Sequence, residues 1–150
     1  MILLDTNLLI YATDKSNQRH RAARAWLERR LTDGSEVGFA WVALLGFIRI
    51  TTNPRVMPNS FSVADAIGHV SAWLANPGAR ILGPTPAHWK QLQTMLTSVG
   101  TGGNLTTDAH LAALALEHGA EFCTADGDFS RFPGLKWRNP LAAAQTGATS

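Results

Sequence analysis

Between Thr106 and Asp126 the chain reads TTDAHLAALALEHGAEFCTAD. Helical spacing runs from the threonines, which offer capping oxygens, to Gly119, which stops the helix. AEFCTA follows as a short apolar strand and ends directly in an acid. A helix feeding such a strand is the unit of an α/β fold, and the rest of the chain repeats it. MILL, VGFA and ARIL read as further buried strands, and LKWR as an edge strand. TNLLIYA, the arginine-rich segment before Gly34, WVALLGFIRITT, SVADAIGHVSAWL and PAHWKQLQTMLTSV read as helices. Thr6 or Asn7 would cap the first of these, and a serine the fourth. A proline would occupy the first turn of the fifth. TNPRVMPNS and DGDFSRFPG are turn-rich loops. The expected architecture is a short parallel sheet sandwiched between helices.

A chain of 150 residues with 45% apolar and 16% charged residues suits one folded domain. That domain is expected over residues 1–141, with AAAQTGATS (142–150) as a frayed tail. Neither an internal repeat nor a dividing linker is visible. The single cysteine, Cys123, excludes an internal disulfide and most thiolate zinc sites, which favours a reducing, cytoplasmic setting. No apolar run is long enough to span a bilayer, and Asp5 interrupts what could otherwise pass for a signal core. No membrane partner is expected.

Asp5 is also where function enters the sequence. It ends the first strand, Asp126 directly follows AEFCTA, and Asp128 lies two residues on. Asp108 stands in the first turn of a helix that follows the glycine-rich GTGGN. Ligands of parallel sheets bind beyond the carboxyl ends of the strands. Singly, each acid has a plainer role: Asp5 as a helix cap, Asp108 at a helix N-terminus, Asp126 and Asp128 in an Asx turn. Together on one sheet edge they repel one another, and a hard divalent cation relieves that repulsion. Magnesium or manganese on a few aspartates is the apparatus of phosphodiester hydrolysis.

Other chemistries find little support. The chain has no GxSxG motif, no paired cysteine and histidine, and no HExxH among its five histidines. GTGGN lacks the lysine of a phosphate loop, and Asn7 stands where a haloacid-dehalogenase-type phosphatase would carry its second aspartate. Trp26, Trp73 and Trp89 read as helix-packing anchors. The formal net charge is +2, from 13 basic and 11 acidic residues. With the four aspartates neutralised, 13 bases face 7 acids, which leaves +6 and suits a polyanion. Arg19, Arg21 and Arg24 crowd one short segment with His20, Arg29 and Arg30. They are candidates for contacting RNA backbone, although a solvated helix face would look the same.

MILLDTNLLIYA, TTDAHLAALALEHGAEFCTADGDFSRFPGL and WRNPL together resemble PIN-domain proteins, specifically VapC-type toxins of type II toxin–antitoxin pairs. The resemblance runs from Met1 to about Leu141. It implies a PIN-like fold and a metal-dependent endoribonuclease held inactive by a cognate antitoxin, commonly as a toxin homodimer. On the matching positions Asp5, Asp108 and Asp126 would be metal-binding acids and Asp128 an assisting acid. Thr6, Asn7 and Thr124 would support them. Mg²⁺, or Mn²⁺ in its place, would be the cofactor. One position departs: Gly46 stands where the family usually carries a glutamate, which leaves the number of ions open. Arg49, one helical turn on, would then face substrate phosphate.

Two other functions fit the same residues. An RNA- or antitoxin-binding module with weak or absent catalysis would follow from Gly46. A small-molecule phosphohydrolase could use the same acids, but it would not need the arginine-rich helix.

Overall fold

The computed structural model describes residues 1–100, 102–103 and 105–142. Its five strands are β1 (Ile2–Leu4), β2 (Val37–Phe39), β3 (Ala79–Ile81), β4 (Glu121–Cys123) and β5 (Trp137–Arg138). They form one parallel sheet in the order β3-β2-β1-β4-β5, with the expected edge strand in place. Among the described residues, six helices pack against it: α1 (Thr6–Thr13), α2 (His20–Thr32), α3 (Trp41–Thr51), α4 (Val63–Leu74), α5 (His88–Val99) and α6 (Leu105–His118). A 3₁₀ turn at Gly127–Arg131 replaces part of the expected loop after β4.

Alternation along β1 divides the core in two. Ile2 and Leu4 join Cys123, Val37 and Phe39 under α1 to α4, whereas Leu3 joins Phe122 under α5, α6 and the 3₁₀ turn. Register fixes this division, since Leu3 pairs with Phe122 and Leu4 with Cys123. The sandwich of helices about a parallel sheet is therefore observed. On the α1–α4 side, Trp73 stacks on Phe39 at 6.2 Å and meets Phe47 edge-on at 4.9 Å. Trp73 is an anchor as expected, and Trp26 is half-buried. Trp89 is 65% exposed and anchors nothing, because α5 fully buries only Met95.

Several helix starts differ from the sequence expectation. Asp5 itself, not Thr6 or Asn7, caps α1 through the Thr6 amide. Thr106 and Thr107 lie inside the first turn of α6 rather than before it. Pro86 precedes the Ala87 cap of α5, and the Thr85 hydroxyl accepts from the Ala87 amide at 3.2 Å. Ser62 caps α4 as expected, through the Asp65 amide at 3.1 Å. The expected tail, apart from Ala142, lies outside the described residues. The Ala142 amide donates to Asn139 Oδ1, so this residue still belongs to the fold.

A polar network ties the loop after β3 to α6. Glu117 Oε1 accepts from the amide and hydroxyl of Thr85, and Glu117 Oε2 lies 2.6 Å from His88 Nδ1. His88 Nε2 in turn meets His110 Nδ1 at 2.9 Å. The Glu117 side chain is nearly inaccessible, so each of these partners offsets the cost of burying a carboxylate.

Two glycines test this packing. A Cβ on Gly38 would lie 2.6 Å from Leu82 Cδ1 and 2.9 Å from the Ile2 carbonyl, inside the sheet. Gly68, midway along α4, has open space around it. Gly38→Ala is expected to destabilise by about 1–3 kcal/mol through overpacking. Gly68→Ala should stabilise by up to about 1 kcal/mol. Urea unfolding of both variants measures this, and a Gly38→Ala midpoint equal to wild type would contradict the sheet register.

Candidate active site

Asp5 follows β1 and is only 9% exposed. Its Oδ1 accepts from the Thr6 amide at 2.7 Å, and its Oδ2 accepts from the Thr124 hydroxyl at 2.7 Å and from Asn7 Nδ2 at 3.4 Å. Thr124 Oγ1 also accepts from Asn7 Nδ2 at 3.2 Å and from the Asp126 amide at 3.0 Å. One donor and two acceptor sites are all a hydroxyl has, so Thr124 is fully used. Asn7 Oδ1 accepts from the Ala125 amide at 3.3 Å, which closes the ring between the ends of β1 and β4. Thr6, Asn7 and Thr124, the three residues expected to support the site, each donate a hydrogen bond to Asp5.

Asp126 and Asp128 are set by the turn after β4. Asp126 caps it, accepting from the Asp128 amide at 2.9 Å. Arg131, which sequence reasoning overlooked, lies 3.4 Å from Asp128 one turn later. The DFSR spacing was its only signal. Asp108 arrives by a longer route. α6 passes into β4 through Gly119 and Ala120 alone, so it must run back along the strand. Its N-terminal turn therefore lies at the carboxyl ends of the strands, and Asp108 with it.

The electrostatics of Asp108 and Asp5 reflect the acids around them. Asp108 is pushed up to about 6, first by burial and then by Asp5, Asp126 and Asp128, with Arg131 opposing. Burial also raises Asp5, against the hydrogen bonds from Thr124 and Thr6, and Asp126 adds to the rise. Among the described residues no three histidine, cysteine, aspartate or glutamate side chains already close on one point. The acids share one sheet edge without forming a finished cage. An all-oxygen donor set in which Asp5 and Asp108 are both raised nonetheless matches the preference of a hard divalent cation.

Gly46 is buried in α3, and a Cβ there would meet Thr6 Oγ1 at 3.1 Å. The Thr6 hydroxyl donates to the Ala43 carbonyl at 3.0 Å, which holds α3 against the start of α1. Arg49 is exposed and has no ion pair or hydrogen bond among the described residues. Arg19 sits 5.6 Å above the Tyr11 ring, and Arg24 pairs with Glu28 at 2.8 Å. Arg21 is exposed and unpaired among the described residues.

This combination of sheet order and strand-end aspartates defines a class. A family model described as PIN domain matches residues 2–135, and the chain belongs to that family. It is 44% identical over 142 residues to Ribonuclease VapC37 of Mycobacterium tuberculosis, covering 95% of this chain and 99% of that one. Ribonuclease VapC33 of the same species is 40% identical, with 94% and 99% covered. Among solved structures, VapBC2 from Rickettsia felis, bound to a DNA fragment from its promoter, superposes with a TM-score of 0.66 at 20% identity. That match covers 93% of this chain and 98% of the other. VapBC-1 from nontypeable Haemophilus influenzae gives 0.65 at 20% identity, over 94% and 99%. These two likenesses establish the fold.

The raised Asp108 makes stability depend on pH. Asp108 binds its proton more tightly when folded, so the fold gains relative stability below the ordinary value of 3.8. That gain is lost as pH rises through about 6. In metal-free buffer at pH 7.5, Asp108→Asn should therefore melt higher than wild type. The difference should be on the order of 1 kcal/mol once solvent screening is allowed for. The gap should close by about pH 4. Melting curves across this range measure it, and a gap independent of pH would mean that Asp108 does not share the field.

Proposed function

We propose that this PIN-domain chain is a VapC-type endoribonuclease toxin, inhibited by a cognate antitoxin, with a divalent cation at its aspartates. The observation that carries the reading is the pair of raised carboxyls at one sheet edge: Asp108, raised by burial and then by Asp5, Asp126 and Asp128, and Asp5, raised by burial with Asp126 adding. Relatives that match over nearly the whole chain are ribonucleases by name, and the matching VapBC structures support an antitoxin partner.

Asp5, Asp108 and Asp126 would hold the ion, with Asp128 assisting. Mg²⁺ or Mn²⁺ bound there supplies neutralising charge and an acidified water for phosphodiester hydrolysis. The chain's own work is positioning. Thr6, Asn7 and Thr124 fix the Asp5 carboxylate before any ligand arrives, so little reorganisation is left to binding. Arg131 keeps Asp128 at the rim, where its guanidinium would meet a substrate phosphate. Gly46 offers no carboxylate from α3, so the four aspartates supply the site's acids.

Removing charge from this set should separate chemistry from folding. Asp5→Asn is expected to cut RNA cleavage by orders of magnitude in Mg²⁺ while the melting temperature stays equal or rises slightly. EDTA should abolish wild-type cleavage. Full activity in Asp5→Asn, measured on the same preparation as the melt, would end the metal-site proposal.

RNA grip is proposed for Arg19, Arg21, Arg24 and Arg49. The Arg24–Glu28 pair is solvent-exposed, so giving it up for a phosphate costs little. Alanine at Arg19, Arg21 and Arg24 together should flatten the salt dependence of single-stranded RNA binding by about 2 in logarithmic slope. An unchanged slope in the triple variant would make this helix face a solvated one.

A further inference from the structure

We propose that the recess between the last turns of α2 and edge strand β5 is a second RNA contact. It would seat one backbone phosphate on arginine and one unpaired base on Trp26. The inference rests on the ribonuclease reading for its choice of ligand, but on none of the aspartates. The recess has a volume of about 420 Å³ and is lined by Trp26, Arg29, Arg30, Arg138 and Pro140, with two alanines of α2. That volume falls within the range that holds small ligands.

Its charge suits one phosphodiester. Arg30 Nη2 lies 2.9 Å from Asp33 Oδ2, and Arg138 Nη2 lies 3.2 Å from Glu121 Oε1. Three guanidinium groups against these two carboxylates leave +1, and a phosphodiester carries one negative charge. The open donors are also specific. Arg29 is exposed and has no partner among the described residues. Arg30 Nε is buried and has no hydrogen-bond partner among them. That Nε is closed to a ligand, so a phosphate would meet the accessible edge of the guanidinium, the Arg30 side chain being 27% exposed. Guanidinium groups bind phosphate through paired N–H groups, which lysine would not offer.

Trp26 supplies the second half of the site. It is half-buried and packs against the α1–α4 core, so its ring is held in place while part of it stays accessible. A fixed indole beside arginine is the usual platform for a single-stranded base, and it accepts any base. Pro140, buried opposite, fixes the far wall at small entropic cost. Arg138 is in register with Cys123, one residue before Thr124 and the turn that carries Asp126. An acidic peptide could pair with the arginines, but it would make no use of the indole face.

The test is anisotropy of a labelled single-stranded RNA with the full chain in EDTA, which prevents cleavage, across a range of salt. Arg29→Ala should flatten the logarithmic slope by about 0.7. Trp26→Leu, which keeps apolar packing, should weaken single-stranded RNA about tenfold and leave duplex RNA unchanged. If Trp26→Leu melts lower than wild type, Trp26→Phe, which keeps an aromatic face, should recover most of the affinity. Unchanged slope and affinity in folded Arg29→Ala and Trp26→Leu would overturn the proposal. So would loss of the antitoxin with RNA binding intact, or equal binding of free adenosine monophosphate and the RNA strand. RNA that binds here but is not cleaved with any cation would defeat the ribonuclease reading and leave this contact standing. Cleavage with an unchanged slope would do the reverse.

Discussion

A carboxylate buried at the end of the central strand is the constraint on which the rest of this structure depends. Asp5 is 9% exposed, and a bare ion at that depth would be strongly disfavoured. It is tolerated because the Thr6 amide, the Thr124 hydroxyl and the Asn7 amide converge on its two oxygens. Two of those donors come from its own chain neighbours. The third lies 119 residues away and reaches it only when β1 and β4 pair in register. The hydrogen bonds that make Asp5 affordable thus also align the two central strands, and a slip of one residue would remove Thr124 from reach.

Once β1 and β4 are aligned, the other acids follow from connectivity. Asp126 lies two residues past Thr124, and its amide is bound by the same hydroxyl that holds Asp5. Asp108 is brought back to the strand ends because α6 must run antiparallel to the strand it feeds. Among the described residues no hydrogen bond holds Asp108 as three hold Asp5, and burial first, then the other acids against Arg131, raises its carboxyl to about 6. The site is therefore destabilising by construction in the absence of a counter-ion, as sites prepared for a ligand tend to be. Stability is recovered in the two apolar layers, where Leu3, Leu4, Phe39, Phe47 and Phe122 are almost wholly excluded from water.

What the sequence reveals divides along the same line. Features set by neighbouring residues were legible: the strands as short apolar runs, Gly119 and Gly100 as helix stops, and the acids at strand ends. Asp126 and Thr124 could be placed because both lie within one turn of a strand that the pattern identifies. Caps were less legible, since DTN offers three good candidates in a row and only tertiary contacts decide. Thr6 turns instead to the Ala43 carbonyl and Asn7 to Thr124, which leaves Asp5 as the cap. Features made by distant residues were not legible at all. His88 and His110 belong to no motif in the sequence, yet they meet across 22 residues of chain through the packing of α5 on α6. Arg29 and Arg30 looked like part of a charged run until β5 placed Arg138 beside them.

Gly46 shows how a departure from the family pattern can be read as packing. The Thr6 hydroxyl donates to the Ala43 carbonyl, three residues before Gly46, which brings the start of α1 against α3 there. A Cβ at position 46 would meet Thr6 Oγ1 at 3.1 Å, so any side chain would displace it by a few tenths of an ångström. Thr6 also supplies the amide that binds Asp5 at 2.7 Å, and the displacement would pass directly to the central carboxylate. The glycine thus serves the same end as Thr124, by a different means. It removes bulk where Thr124 adds a hydroxyl, and both keep Asp5 where β1 leaves it. The acid lost from α3 and the close fit of α3 on α1 are one feature of this chain. Its aspartates at the strand ends then supply the negative charge of the site without help from α3.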